Sequence, residues 1–205
     1  MIPKRIVAIG SSSLYGMVDP DGQGYIGRLR KWLENQNEDY DVFNLGIGGD
    51  TTTGMLKRLR SEATIRKPDL ILLTSGLNDT RRTGSRKAPA TTSIKMFREN
   101  IQNLISTARR LCDVVFISVY PIDEKRTTPF KNTKYFYLMA DAIEYTGLTE
   151  EICKKNNVPY LDIFNQWLKT NYLQYIYDDG LHCNSLGHNF IFEKLKDFLE
   201  TLYAI

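Results

Sequence analysis

Short apolar runs alternate along the chain with longer segments whose apolar positions recur every three or four residues. Five of the short runs are rich in β-branched and aromatic residues and predict strands over residues 5–9, 41–45, 69–74, 113–119 and 159–163. Most of these runs are apolar without interruption, which is typical of strands that are covered on both faces of a sheet.

The longer segments carry apolar residues at helical spacing. They predict helices around residues 25–33, 53–67, 94–108 and 134–156, and from about residue 185 onward. Pro68 ends the second of these helices, and a break near Gly147 is left open in the fourth. Strands that alternate with helices indicate βαβ units and a parallel sheet. We therefore predict a single domain over residues 1–205 with a three-layer α/β/α, flavodoxin-like fold. Its five-stranded parallel sheet is expected in the order 2-1-3-4-5, although the pattern leaves that order open.

Four polar, glycine-bearing turns follow the predicted strands. They cover residues 10–16, 46–52, 75–79 and, after a short helix, 178–182. Two longer irregular stretches, 80–92 and 121–133, also follow strands. Because open α/β folds bind ligands at the carboxyl ends of their parallel strands, these segments are expected to form the functional edge.

The amino-acid composition excludes several classes of protein and of metal site. Hydrophobic residues make up 42% and charged residues 25%, which is the mixture of an ordinary globular domain. The net charge of +3 is too balanced to indicate nucleic acid as a partner. The three cysteines are far apart and form no CxxC pair, so neither a disulfide framework nor a zinc site is expected. With only two histidines, His182 and His188, a metal site built on several imidazoles is excluded, and a histidine base has two candidates.

The N-terminus enters the first predicted strand at once. Its apolar run is too short for a signal peptide, and no apolar stretch is long enough for an integral membrane segment. We therefore expect a cytoplasmic protein, although a chain whose signal had been removed would look the same.

Acyl transfer needs a hydroxyl nucleophile, a base, a carboxylate that orients the base, and donors for the developing oxyanion. A serine of the first turn can supply the hydroxyl, and His182 can supply the base. Asp179 precedes His182 by three residues and can supply the carboxylate. Backbone N–H groups of the glycine-rich second turn and the amide of Asn78 can supply the donors. All the required residue types therefore lie at the predicted edge.

The same turns resemble the four blocks of the SGNH hydrolases, also called GDSL esterases and lipases. GSSSLYG is similar to their G-D-S-L-T-x-G block, NLGIGGDTT to the second block, GLND to G-x-N-D, and DGLH to D-x-x-H. The blocks occur in the family's order and span nearly the whole chain. The resemblance implies the SGNH hydrolase fold and a serine esterase, lipase or acylhydrolase that acts on a small-molecule ester without a cofactor or a metal.

Carried over position by position, the resemblance implies a triad of Ser12, Asp179 and His182, and an oxyanion hole formed by Ser12, Gly49 and Asn78. Two departures from the family pattern bear on these blocks. Ser11 stands where the family usually has aspartate, and Cys183 stands where proline is frequent. Neither position transfers a proton or binds the oxyanion in the family scheme.

Each site residue also has a plainer interpretation. The serines could cap a helix, and the loop from Ser11 to Gly16 could cradle a phosphate, which would make the chain a flavodoxin-like phosphate- or nucleotide-binding module. Such a cradle has no use for an Asp-x-x-His turn across the edge, so the hydrolase is the favoured function. Asp178 competes with Asp179 for the carboxylate role, and spacing and resemblance both favour Asp179.

The remaining candidates are expected to be structural. His188 should pack or face solvent within the last helix, whose N-cap is Asn184 or Ser185. Cys183 is discounted as a nucleophile, and Asp79 is expected to order its loop. The basic loop 80–92 is interpreted as solvated and mobile rather than as a lid or an anion-binding patch. Residues 135–139 are expected to form the packed start of a helix, one face of which could line an acyl pocket.

Overall fold

The computed structural model describes residues 1–19, 23–37 and 39–204. Its strands are β1 (Arg5–Gly10), β2 (Asp41–Gly46), β3 (Leu70–Leu73), β4 (Arg82–Thr83), β5 (Asp113–Ile117), β6 (Tyr135–Phe136) and β7 (Tyr160–Leu161). Its α-helices are α1 (Ser12–Tyr15), α2 (Gly24–Glu34), α3 (Thr52–Thr64), α4 (Ile94–Arg109), α5 (Glu124–Thr127), α6 (Met139–Lys155), α7 (Ile163–Leu168) and α8 (Ser185–Leu202). A 3₁₀ helix at Tyr172–Tyr175 lies between α7 and α8.

Five strands form one parallel sheet in the order β2-β1-β3-β5-β7. Numbered as the five predicted strands, this is the order 2-1-3-4-5, so the predicted fold class and strand order are confirmed. Because all five strands run in the same direction, the turns that follow them lie at one edge of the sheet.

Both faces of the sheet are covered, as the uninterrupted apolar strands predict. In β1, Ile6 and Ala8 belong to a core with α2, α7 and α8, whereas Val7 and Ile9 belong to a core with α3, α4 and α6. Successive residues of a strand point to opposite faces, so one short apolar run contributes to both cores. Within the described ranges, every helix is too short or too polar to span a bilayer.

The prediction of a helix over 134–156 is wrong at its N-terminal end. Tyr135 and Phe136 form β6, which pairs antiparallel with β4 in the loop 80–92, and the helix begins only at Met139. Backbone pairing with this distant loop replaces the helical hydrogen bonds at residues 135 and 136. The helix then continues through Gly147 without a break, since this residue lies on the exposed face of α6.

Two arginines of the basic loop 80–92 bind carboxylates of neighbouring helices, while residues 83–87 are exposed, as expected of a solvated loop. Arg82 donates two hydrogen bonds of 2.7 Å to Asp141 in α6, and Arg86 pairs with Glu124 in α5. These carboxylates are distant in sequence, so the local concentration of positive charge did not indicate them.

Candidate active site

Ser12 lies at the start of α1, directly after β1. The backbone at Gly10 runs so close to the residue after β3 that a Cβ atom there would lie 2.6 Å from Cγ2 of Thr74. Ser11 has extended backbone, and its side chain makes no capping hydrogen bond with the described residues. Ser12 is therefore the first residue of the helix, where N–H groups have no acceptor within the helix itself. Its hydroxyl and its N–H both lie at the carboxyl edge of the sheet.

His182 and Asp179 lie in the turn before α8. Nε2 of His182 is 3.0 Å from Oγ of Ser12, and Nδ1 is 2.8 Å from Oδ2 of Asp179. The N–H groups of Leu181 and His182 each donate to Oδ1 of Asp179 at 3.0 Å. Gly180 adopts a φ of 77°, which is a left-handed conformation that favours glycine, and so lets the turn close. The three-residue spacing thus allows Asp179 to hold both the backbone and the ring of His182.

The hydrogen-bond partners of this turn select one tautomer of the neutral imidazole of His182. Burial opposes ionisation of Asp179, but hydrogen bonds from the ring and backbone of His182 hold the pKa of its carboxyl well below the usual range. An ionised carboxylate can only accept, so the hydrogen of the neutral ring lies on Nδ1. Nε2 is then free to accept the hydroxyl hydrogen of Ser12, which is the arrangement a general base requires.

The glycine-rich turn after β2 lies beside the segment that contains Ser12. The N–H of Ile47 donates to the carbonyl of Gly10 at 3.1 Å, and a Cβ atom at Gly46 would lie 2.9 Å from the carbonyl oxygen of Ser11. Gly49 follows with a φ of 78°. Within the described part of the chain, no protein acceptor pairs with the N–H of Gly49. The turn therefore leaves the N–H of Gly49 available to a ligand.

Asn78 is held at both ends of its amide. Its Nδ2 donates to the carbonyl of Asp50 at 3.0 Å, and its Oδ1 lies 3.5 Å from the hydroxyl of Tyr137. An amide nitrogen carries two hydrogens, so one remains for a ligand. This arrangement connects Asn78 to the residue that follows Gly49.

Asp79 joins the turn after β3 to the start of α3. Its buried carboxyl accepts hydrogen bonds from N of Thr52 at 3.1 Å and from Oγ1 of the same residue at 2.6 Å. Burial raises the pKa of this carboxyl, although the bonds from Thr52 oppose the shift. These contacts agree with the expectation that Asp79 orders its loop.

Arg58 in α3 connects several of these turns and was not singled out by the sequence. Its guanidinium donates to the carbonyls of Leu45 and Gly10 at 2.8 and 3.0 Å, and to the carboxylate of Asp50 at 2.8 Å. It thereby ties the ends of β1 and β2 to the residue after Gly49. An arginine at a helix interior is common, so only its place in α3, just after the second block, could have drawn attention to it.

Lys131 is a second residue near the site that the sequence did not single out. Its half-exposed side chain places Nζ 3.4 Å from Oδ2 of Asp179. The ring of Phe130 lies edge-on to His182, with the centroids 6.3 Å apart. The prediction that the stretch 121–133 lies at the functional edge indicates the right segment, but no spacing within it distinguishes these two residues.

The alternative candidates lie elsewhere or are unreactive. His188 is fully buried in α8 and stacks on Tyr25, with the ring centroids 5.9 Å apart. The side chain of Asp178 is 93% exposed and pairs with Arg126. Burial raises the pKa of the Cys183 thiol to about 12, so a thiolate is disfavoured there. Asn184 caps α8 by accepting from the N–H of Gly187.

Known proteins share both the sequence pattern and the fold. The chain matches the GDSL-like Lipase/Acylhydrolase family over residues 8–190. Over 76 residues it is 33% identical to esterase TesA of Pseudomonas aeruginosa, a match that covers 37% of this chain and 38% of that protein. Its fold is similar to that of the lipase/acylhydrolase from Enterococcus faecalis, with a TM-score of 0.77, 23% identity and 96% of each chain covered. It is also similar to Axe2, an acetylxylan esterase from Geobacillus stearothermophilus, with a TM-score of 0.74, 17% identity, and 95% of this chain and 93% of that chain covered.

Proposed function

Because the chain belongs to the GDSL-like lipase/acylhydrolase family and is a carboxylic ester hydrolase, we propose that it cleaves small-molecule esters through an acyl-enzyme formed on Ser12. The observation that carries this proposal is the continuous series of hydrogen bonds from Ser12 through His182 to Asp179. All three residues are buried, and each is hydrogen-bonded to the next in the series.

In the first half-reaction, Nε2 of His182 takes the hydroxyl hydrogen of Ser12 while Oγ forms a bond to the ester carbonyl carbon. The carbonyl oxygen becomes an oxyanion, and Asp179 stabilises the imidazolium. His182 then returns its proton to the alcohol oxygen as the carbon–oxygen bond breaks. A water molecule, deprotonated by the same ring, attacks the acyl-enzyme, and Ser12 leaves with the proton as the carboxylic acid is released.

The oxyanion is proposed to bind the N–H groups of Ser12 and Gly49 and the Nδ2 of Asn78. The N–H of Gly49 has no protein acceptor among the described residues, and the Nδ2 of Asn78 has one hydrogen to spare; both features support this assignment. The turn that carries Gly49 is fixed by backbone hydrogen bonds of Ile47 and Asp50, and Asn78 is fixed by its bond to the carbonyl of Asp50. Donors fixed before the reaction need no reorganisation when the charge develops.

The alternative function, a phosphate-binding module that uses residues 11–16, has little support. A phosphate cradle would need the hydroxyl of Ser12 for the ligand, whereas that hydroxyl contacts His182. The helix that follows the loop is also only four residues long, so it offers a weak N-terminal dipole.

Covalent labelling with a fluorophosphonate tests the proposal. Wild-type protein should take one label on Ser12, Ser12→Ala should take none, and Ser11→Ala should label like wild type because its side chain has no bonded partner among the described residues. Hydrolysis of p-nitrophenyl acetate should follow the same pattern. A folded wild type that neither labels nor hydrolyses the ester would refute the function, and a labelled Ser12→Ala would place the nucleophile elsewhere. A chain-length series of esters together with acetylated sugars would then define the acyl group.

A further inference from the structure

Tyr120 connects the segment of the nucleophile to the segment of the base. Its hydroxyl oxygen lies 2.8 Å from Oγ of Ser13 and 3.1 Å from the backbone N of Cys183. These are the residues that directly follow Ser12 and His182. We propose that Tyr120 is a positioning residue that sets the separation of His182 and Ser12, an inference that rests on the proposed function.

The two hydrogen bonds can form at the same time. The N–H of Cys183 can only donate, so the Tyr120 oxygen accepts there and its own hydrogen remains available to Oγ of Ser13. Tyr120 is 2% exposed, and burial raises the pKa of its phenol well above the ordinary value. The hydroxyl therefore keeps its hydrogen over the whole pH range in which an esterase is assayed.

The ring of Tyr120 is held on its other side. It packs against the fully buried indole of Trp167, with the centroids 5.0 Å apart and the planes tilted by 30°. Since protein cores are closely packed, the ring cannot swing without displacing its neighbours. A fixed hydroxyl can therefore fix the two backbone segments that bond to it.

The catalytic contact needs such support. Ser12 and His182 are 170 positions apart in sequence and meet through a single hydrogen bond of 3.0 Å. Tyr120 provides a second connection between the same two segments, one residue further along each of them. A small loss of alignment between nucleophile and base is costly, because a misplacement of about 1 Å can cost roughly 10²-fold in rate.

Two residues of this connection differ from the family blocks. In the G-D-S-L block a leucine follows the nucleophile, and a proline frequently follows the histidine, whereas this chain has Ser13 and Cys183. A leucine side chain cannot form a hydrogen bond, and a proline has no N–H. The two departures together supply both partners of the Tyr120 hydroxyl, which argues that the connection is a feature of this chain's own residues.

Tyr120→Phe tests the role because it keeps the ring and removes only the hydroxyl. We expect kcat for p-nitrophenyl acetate to fall about tenfold, with KM within about twofold of wild type, since the alignment of the reacting groups is lost and ester binding is not. The rate of fluorophosphonate labelling of Ser12 should fall by the same factor. Ser13→Ala should have a similar effect, and the double variant should be no slower than the slower single variant.

Tyr145→Phe is the matched control. It removes a buried hydroxyl that donates to the carbonyl of Thr92 at 2.6 Å, away from the nucleophile and base segments, and should keep wild-type kcat. The inference is wrong if Tyr120→Phe is as active as this control, or if the two losses multiply in the double variant. Should Tyr120→Phe not fold, a wild-type kcat in Ser13→Ala would overturn it. A wild type that takes no label would overturn the proposed function, and this inference with it.

Discussion

Replacement of His188 by leucine should remove much of the pH dependence of folding stability. Burial lowers the pKa of His188 from 6.5 to about 4, although the carboxylate of Asp19 opposes the shift. The folded protein therefore keeps this ring neutral in a range where the unfolded chain takes up a proton. The contribution to stability is complete above pH 6.5, declines as the pH falls towards 4, and changes no further below that value.

The size of the effect follows from the same pKa values. At about 1.36 kcal/mol per unit, the interval from 6.5 to about 4 corresponds to about 3 kcal/mol. Between pH 7.5 and pH 4.5, wild type should lose about 2.5 kcal/mol of unfolding free energy through this residue. Leucine has no proton to bind and a similar volume. Since neither ring nitrogen has a hydrogen bond of normal geometry with the described residues, the variant should be close to wild type at pH 7.5.

Urea unfolding at pH 7.5 and pH 4.5, followed by circular dichroism, measures this difference. Titration of the neighbouring Asp19 does not contribute to the difference between pH 7.5 and pH 4.5. Although burial opposes it, hydrogen bonds from Arg28 and Ser185 lower the pKa of Asp19 to about 2 from 3.8, so its stabilisation is lost only below the measured window. Activity at pH 7.5 should be retained in His188→Leu. If wild type and variant lose the same free energy between the two pH values, His188 is not held neutral by burial. An inactive but folded His188 variant beside an active His182 variant would reverse the assignment of the base.

Three substitutions test the catalytic roles. Asn78→Ala should lower kcat by about 10²–10³-fold with little change in the urea midpoint, since one oxyanion donor is lost; an unchanged kcat would remove Asn78 from the oxyanion hole. Asp179→Asn should lower kcat by about 10⁴-fold, because the amide no longer selects the imidazole tautomer that accepts from Ser12; activity near wild type would contradict the triad. Arg58→Lys should lower kcat by about tenfold, because an ammonium cannot reproduce the guanidinium fork that binds Leu45, Gly10 and Asp50 together. A wild-type kcat would show that the turn after β2 keeps its geometry without this fork.

The sheet, and the edge of the sheet at which the candidate site residues lie, could be predicted because they depend on local patterns. Uninterrupted apolar runs that alternate with helical segments specify a parallel sheet, and a parallel sheet brings the ends of its strands to one edge. Asp179 and His182 lie three residues apart within one turn, so their contact is a property of that turn. The contact between Ser12 and His182, in contrast, depends on the tertiary fold, because the two residues are 170 positions apart.

Long-range contacts account for what could not be predicted. Tyr135 and Phe136 have the spacing of a helix start, yet they pair with β4, more than 50 residues earlier. The basic residues of the loop 80–92 suggested free charge, yet Arg82 is paired with Asp141, 59 residues away. Local periodicity carries no information about such partners, because tertiary pairing overrides a short segment's own preference.

The turn around Ser12 shows how local sequence pattern and long-range contact contribute differently to one segment. Ser11 stands where the family usually has aspartate, and its side chain makes no capping bond with the described residues. A turn without a local cap must be held by contacts from outside. Arg58 donates to the carbonyl of Gly10, Asn44 donates to the carbonyl of Leu14 at 2.8 Å, and the hydroxyl of Tyr120 bonds to Ser13. The stability of this turn therefore depends on residues in α3, in β2 and after β5, so the geometry of Ser12 is a property of the folded chain rather than of its motif.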